Sequence, residues 1–95
     1  MKGKYVIVRT RSAGVFAGIL VYRNGMEATM KNARRIWWWS GAASLSQLAM
    51  EGTSLPKKCK FPCPVTMVDL PEVIEVLLCT SMARKSIEKV PVWKA

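Results

Sequence analysis

An Asn-Gly pair between two β-prone runs constrains the fold more than any other feature of this chain. Asn24-Gly25 separates the apolar run Val15–Arg23 from a second run, Met26–Lys31. Asn-Gly is favoured in two-residue turns in which both residues adopt positive φ, and such turns join antiparallel strands. The sequence therefore predicts a β-hairpin over residues 15–31.

The neighbouring segments extend this hairpin into a meander. Residues Lys4–Thr10 alternate in the period of a strand, and Arg34–Trp39 is aromatic and β-favouring after a predicted turn at Asn32-Ala33. Gly18, inside the second run, predicts a bulge or a sharp bend. We expect a four-stranded antiparallel meander over residues 4–39, curled at the glycine.

This stretch resembles a known class of small barrels. Residues 14–36, GVFAGILVYRNGMEATMKNARRI, are similar to the pattern of Sm-like and related SH3-like barrels, in which a glycine-bent strand is followed by a tight turn and a returning strand. The resemblance implies a small barrel for the N-terminal part of the chain. It implies no function, because the RNA-contacting motifs of those proteins are not recognisable here.

Two short helices are predicted after the meander. Ser44 and Gln47 form an S-x-x-Q capping box, and Gly52 occupies the position of a left-handed terminator, so we expect a helix over Ser44–Gly52. Thr80 or Ser81 caps a second helix over 82–89, with Ile87 facing inward.

The rest of the chain completes a single domain. Val65–Val68 and Glu72–Cys79 are predicted strands, and Pro91–Trp93 is a predicted edge strand. We therefore expect one α+β domain over residues 1–95, a small curled antiparallel β-sheet or SH3/Sm-like barrel with two short helices.

The net charge and the absence of histidine limit the functions that the chain can have. It has 95 residues, a formal net charge of +9 and no histidine. The absence of histidine excludes the Ser-His-Asp triad, the Cys-His pair and His-ligated zinc. Residues 1–40 carry a net charge of +7 and residues 41–95 only +2. Such a basic half indicates an anionic partner, although net charge also keeps small proteins apart in solution.

The segment that begins at Arg34 holds most of the candidate binding residues. In a regular strand, one side carries Arg35, Trp37 and Trp39, and the other carries Arg34, Ile36 and Trp38. Ile36 and Trp38 are expected to face the core. Exposed indoles beside arginines would form a platform for bases and phosphates. The alternative is that Trp37 and Trp39 pack beneath the first helix or in a subunit interface.

Further candidates follow this segment. Small residues lead into the helix start at Ser44, where free amides favour an anion, although ordinary capping explains the same residues. Lys57, Lys58 and Lys60 lie in a proline-rich loop that is either solvated or able to clamp a phosphate backbone. The sequence thus predicts eight ligand-binding residues: Arg34, Arg35, Trp37, Trp39, Ser44, Lys57, Lys58 and Lys60.

Catalysis and metal binding are not indicated. The six carboxylates are dispersed, and Glu72 and Glu75 would lie on opposite faces of a strand. Three cysteines leave at least one thiol unpaired, and an all-cysteine zinc site would lack its fourth ligand. We expect a protein that is not an enzyme, holds no metal or other cofactor, and carries free thiols in a reducing compartment.

A second resemblance covers nearly the whole chain. The stretch ARRIWWWSGAASLSQLAMEGTS, followed by KKCKFP, EVIEVLLCT and VPVWK, resembles a family of small uncharacterised proteins encoded by tailed bacteriophages. The resemblance implies an accessory protein acting in the host bacterial cytoplasm, and it carries over no catalytic residue.

Three functional hypotheses follow. The first is a non-enzymatic binder of nucleic acid or a nucleotide through the basic, Trp-rich surface. The second is an antagonist of a host defence or transcription protein, and the third is an oligomeric structural component of the virion. No apolar run is long enough to span a membrane, so no membrane partner is expected. Exposed edge strands favour a homo-oligomer in each case.

Overall fold

The computed structural model describes residues 1–95 as one five-stranded antiparallel sheet with two helices. The elements are β1 (Tyr5–Thr10), β2 (Val15–Asn24), β3 (Glu27–Arg35), α1 (Leu45–Glu51), a 3-10 turn (Pro56–Lys58), β4 (Val65–Leu70), β5 (Val73–Leu78) and α2 (Ser81–Lys89). This is the small α+β fold that the sequence predicts.

The strand order requires a strongly curled sheet. The order is β4-β3-β2-β1-β5, so two consecutive strands occupy opposite edges. Strands lie about 4.8 Å apart, so the edges of a flat sheet of this size would be about 19 Å apart. The three-residue step from Leu70 to Val73 spans at most about 11 Å. The sheet therefore curls, but no ladder joins β4 to β5 and the barrel is not closed.

The predicted hairpin is confirmed, with its turn moved by one residue. Asn24 pairs with Glu27, so Gly25 and Met26 are the two turn residues. Gly25 has a φ of 59°, and Met26 does not have positive φ. This matches the hairpin turn that places glycine at its first central position. The Val73 amide donates to the Met26 carbonyl at 2.8 Å, which brings the start of β5 against this turn.

The predicted irregularity at Gly18 is also confirmed. The β2–β3 register shifts between Ala17 and Ile19, and Asn32 and Ala33 together lie opposite Gly18. A Cβ at Gly18 would lie 2.8 Å from the Ala33 Cα, so only glycine permits this approach of the two strands.

The predicted turn at Asn32-Ala33 and the separate strand Arg34–Trp39 are wrong. β3 continues through both residues to Arg35 because Asn32, with a φ of 51°, forms a bulge and does not reverse the chain. The meander over the N-terminal part therefore has three strands instead of four. Residues 36–39 leave the sheet, and their only bridge joins Trp38 to Lys60.

Two hydrophobic cores lie on the two faces of the sheet. The core on the helical side includes Tyr5, Ile7, Ile36, Leu48, Phe61 and Ile87. The core on the other side includes Val6, Val8, Phe16, Met30, Leu70 and Val73. Strand β1 contributes alternate residues to both cores, and the inward placement predicted for Ile87 is confirmed.

Both helices begin at the predicted caps. The Ser44 hydroxyl accepts a hydrogen bond from the Gln47 amide at 3.2 Å, while the Gln47 side chain reaches the Ala43 amide at 2.7 Å instead of Ser44. Gly52 ends α1 with a φ of 78°, and a Cβ there would lie 2.3 Å from Ser86 of α2. The glycine therefore allows the end of α1 to pack closely against α2.

The C-terminal segment is not the predicted edge strand. Residues 91–95, called the C-terminal arm below, make one parallel bridge, between Val92 and Phe61. The longest helix has nine residues, and neither helix has the length and apolar character needed to cross a membrane.

Candidate functional site

Three chain segments meet beyond the end of β3. Trp38 and Lys60 exchange two backbone hydrogen bonds, of 3.3 and 2.8 Å, which join residues 36–39 to the segment before β4. The Trp93 amide donates to the Phe61 carbonyl at 3.0 Å, which adds the C-terminal arm on the other side. Phe61 is fully buried, so this small ribbon is anchored in the helical-side core and presents its other face to solvent.

Two indoles stack on the outer face of this ribbon. The ring centroids of Trp37 and Trp93 are 4.9 Å apart and the rings are inclined by 21°. The two residues, called the indole pair below, are 56% and 43% exposed. The Lys60 Nζ lies 5.4 Å from the Trp37 centroid and 5.7 Å from the Trp93 centroid. An exposed aromatic surface therefore carries a positive charge close to both of its rings.

Arg34 holds the ribbon in place from beneath. It is 4% exposed, and its guanidinium donates to five carbonyls at 2.7 to 3.4 Å. The acceptors are the carbonyl oxygens of Phe61, Pro62, Ile87, Val90 and Pro91. A guanidinium has five N–H donors, and each has an acceptor here. Arg34 thereby joins β3, the ribbon, the end of α2 and the C-terminal arm.

This placement corrects the prediction that Arg34 binds a ligand. Its five donors all bond to backbone carbonyls, so none is left for an external anion. Burial lowers the pKa of Arg34, while Tyr5 and Cys63 act in the opposite direction. Arginine keeps its charge despite such shifts, and the negative ends of the five carbonyl dipoles compensate it.

The predicted alternation of the tryptophans is wrong beyond Trp37. Trp38, expected in the core, is 55% exposed. Trp39 packs partly buried against the helical-side core, which includes Leu48 of α1, in agreement with the alternative that it packs beneath the first helix. The reason is that β3 ends at Arg35, so the strand period does not apply to the residues that follow. Arg35 is exposed, but its guanidinium carbon lies 4.6 Å from the Phe16 ring centroid, in contact with the second core and away from the indole pair.

The remaining candidates lie apart from the indole pair. Ser44 caps α1 with its hydroxyl. Lys57 and Lys58 are exposed on the 3-10 turn and make no contact with either indole. Of the eight predicted residues, only Trp37 and Lys60 come together. Trp93 is not among the predicted residues, and its one signal in the sequence is the aromatic in the closing VPVWK motif.

The acidic side chains are engaged elsewhere. The protein forms two ion pairs, Arg9–Glu75 and Arg84–Glu88, and none involves a lysine. Asp69 and Glu72 accept hydrogen bonds from Thr29 and Ser12, respectively. Lys60 is therefore without a carboxylate partner, and the positive charge beside the indole pair is not neutralised within the protein.

The three cysteines form no disulfide. Cys59 is buried, Cys63 is exposed and Cys79 is partly buried, and all three are free. Burial raises the pKa of Cys79 to about 11, so this thiol is protonated near neutral pH. No three Cys, Asp or Glu side chains lie close enough together to hold a metal ion.

Comparisons with known proteins identify a family. A comparison with curated proteins and a comparison with solved structures each gave no match. A family model, described as a domain of unknown function (DUF6948), matches residues 3–87. The matched span contains Trp37 and Lys60 and ends before Trp93. Because it covers most of the sequence, the chain belongs to the DUF6948 domain family.

Proposed function

We propose that the protein binds single-stranded nucleic acid through the indole pair and Lys60, without catalysing a reaction. The observation that supports this most is the stacked, half-exposed pair of Trp37 and Trp93 with the Lys60 ammonium over both rings. An unpaired base offers a free face for stacking, whereas bases in a duplex already stack on their neighbours. Stacking on an aromatic side chain contributes about 1–3 kcal/mol per base.

The charge distribution supports an anionic ligand. The formal net charge is +9 and only two ion pairs form, so most basic side chains have no acidic partner. Lys60 is positioned to contact the phosphate of a nucleotide whose base stacks on Trp37 or Trp93. Neutralising phosphates releases counterions, and the affinity therefore falls as salt rises.

The test compares two neighbouring tryptophans. Trp37→Ala should weaken binding of a fluorescein-labelled oligo(dT) about 5- to 150-fold, because it removes one stacking surface and unpairs the other. Trp38→Ala is the matched control, since Trp38 is equally exposed at 55% and lies outside the pair. It should change the affinity by less than about twofold. Equal losses in both variants, or none in either, would contradict the proposal.

The biological setting belongs to the same proposal. A bacteriophage origin and a site of action in the host cytoplasm rest on the sequence resemblance. An alternative role as an antagonist of a host protein is distinguished by the same measurements, because such a protein would bind oligo(dT) weakly and without dependence on Trp37.

We also propose that the protein self-associates through its edge strands. β4 pairs only with β3, and β5 only with β1, so each has one free backbone edge. The apolar residues Val65 and Met67 of β4 and Ile74 and Leu78 of β5 are 43–53% exposed. Unprotected apolar edges favour pairing with another chain.

Sedimentation velocity tests this second proposal. Met67→Lys should shift an oligomer toward monomer, because a lysine ammonium at a strand interface is costly to desolvate. Met82→Lys is the control, since Met82 is 59% exposed but lies on α2. A wild-type protein that sediments as a monomer at micromolar concentration would contradict self-association.

A further inference from the structure

A groove lies along the C-terminal arm, which also carries Trp93 of the indole pair. Its volume is about 390 Å³, and it runs between the bulge of β3 and the end of α2. Val90 and Val92 form apolar walls, and Arg34 lies at its base. Val92 directly precedes Trp93 in the chain, so the C-terminal arm connects the groove to the indole pair.

Tyr5 supplies the first unused polar group of this groove. The residue is only 7% exposed and lines the groove, yet its hydroxyl makes no hydrogen bond within the protein. Every fully buried side-chain polar atom of the protein has a hydrogen-bond partner, so this hydroxyl opens onto the groove, where a ligand atom can bond to it. Burial and the nearby Glu88 carboxylate raise the pKa of Tyr5, and the hydroxyl therefore keeps its proton at neutral pH.

Asn32 and Glu88 supply the other two groups. Asn32 is the bulge residue with positive φ, and bulges re-aim side chains. It lines the groove, and its amide makes no hydrogen bond within the protein. Glu88 also lines the groove, and one carboxylate oxygen accepts from Arg84 at 3.3 Å while the other has no partner. The groove thus combines a hydroxyl, an amide and a carboxylate with apolar walls.

This set of groups matches one nucleobase better than the others. Guanine presents two adjacent N–H donors that a carboxylate can accept, and a carbonyl oxygen that an amide or a hydroxyl can donate to. The Watson–Crick edge of adenine places a ring-nitrogen lone pair toward such a carboxylate. Cytosine has only its amino donor there, and thymine has a single N–H between two carbonyls.

We propose that the groove receives a guanine base of the strand whose neighbouring base stacks on the indole pair. The placement in a strand rests on the proposed function, whereas the base preference of the groove is a separate property. A preference for guanine at one position distinguishes this site from a purely sequence-tolerant stacking surface.

The experiment uses oligo(dT) with a single central dG, dA or dC, titrated against the full-length protein. The dG oligonucleotide should bind about 5- to 150-fold more tightly than the others, the range expected for one bidentate base contact. Asn32→Gly keeps a residue that tolerates positive φ, and Glu88→Gln keeps the side-chain size. Each should abolish most of this preference and leave the affinity for plain oligo(dT) within about twofold.

Tyr5→Phe is the mildest variant, because its hydroxyl has no partner in the protein. It should lower the dG preference and leave the circular dichroism spectrum and the melting temperature unchanged. A dG oligonucleotide that binds no better than the dA and dC ones, or a preference that survives all three substitutions, would overturn the groove assignment while leaving stacking on Trp37 intact.

Guanosine monophosphate separates the two proposals directly. Its addition should shift the NMR signal of the Asn32 side-chain amide, and adenosine monophosphate should not. If guanosine monophosphate shifts that signal but no oligonucleotide binds, the proposed function fails and the guanine groove stands. If neither the nucleotide nor the oligonucleotides bind, both proposals are overturned.

Discussion

Arg34 and Lys60 are two cations on opposite sides of the same ribbon, and they differ in almost every physical respect. Arg34 is 4% exposed and donates to five backbone carbonyls. Lys60 is exposed, and its ammonium faces two indole rings without an ion-pair partner. Arg34 uses all its donors within the protein, whereas the Lys60 ammonium remains exposed on the surface of the ribbon.

The comparison shows that formal charge alone does not identify binding residues. The sequence places Arg34 next to the tryptophans, which suggests a phosphate contact. In the structure the five carbonyls satisfy it more completely than a phosphate could, because they surround all five of its donors. Burial, not residue type, therefore separates the structural cation from the cation that stays exposed for the proposed ligand.

The largest effect should come from Arg34. Arg34→Met leaves five carbonyls, in the ribbon, the end of α2 and the C-terminal arm, without their donor, so we expect the free energy of unfolding to fall by about 3–5 kcal/mol. Urea denaturation measures this change in the free energy of unfolding. Arg34→Lys keeps the charge but has a point-like ammonium with three donors, and it should recover less than half of the loss.

The Arg34 variants also test the role of the C-terminal arm. Loss of the Pro91 and Val90 contacts should loosen the arm, separate Trp93 from Trp37 and change the tryptophan emission before global unfolding. A destabilisation below about 1 kcal/mol would mean that water replaces the guanidinium, and the contrast between Arg34 and Lys60 would then disappear.

An intermediate effect is expected from the indole pair itself. A double-mutant cycle of Trp37→Ala and Trp93→Ala should give a coupling free energy of about 0.5–1.5 kcal/mol, as for other stacked aromatic pairs. The matched cycle of Trp38→Ala with Trp93→Ala should give a coupling near zero. Additive losses in the first cycle would show that the two rings do not stack in solution.

Local signals in the sequence predicted much of the fold. The hairpin, the irregularity at Gly18, and the helix caps at Ser44 and Thr80 depend on residues close in the chain. The structure confirms each of them, with the hairpin turn moved to Gly25-Met26. The turn predicted at Asn32-Ala33 was wrong because asparagine with positive φ occurs in bulges as well as in turns. Only the partner strand, with Gly18 opposite, decides between the two.

The candidate site was predicted less well because it is assembled from distant segments. The carbonyls that bind Arg34 lie 27 to 57 residues further along the chain. Trp93 reaches Trp37 only because the C-terminal arm docks on Phe61. The strand period located Trp37 on the surface but was applied past the end of β3, which exchanged the positions of Trp38 and Trp39. Spacing along the chain carries no information about such contacts.

Lys60 should show the smallest effect on stability and a specific effect on binding. Lys60→Gln removes an exposed cation–π contact, so the free energy of unfolding should fall by no more than about 1 kcal/mol. If Lys60 contacts a phosphate, the same change should lower the slope of log affinity against log salt by about one for oligo(dT). Lys85→Gln, an exposed lysine of α2 with no aromatic contact, is the control and should leave the slope unchanged. An equal reduction in both variants would mean that the affinity for oligo(dT) depends on net charge alone. The distinction between a structural cation and a ligand-binding cation would then rest on Arg34 only.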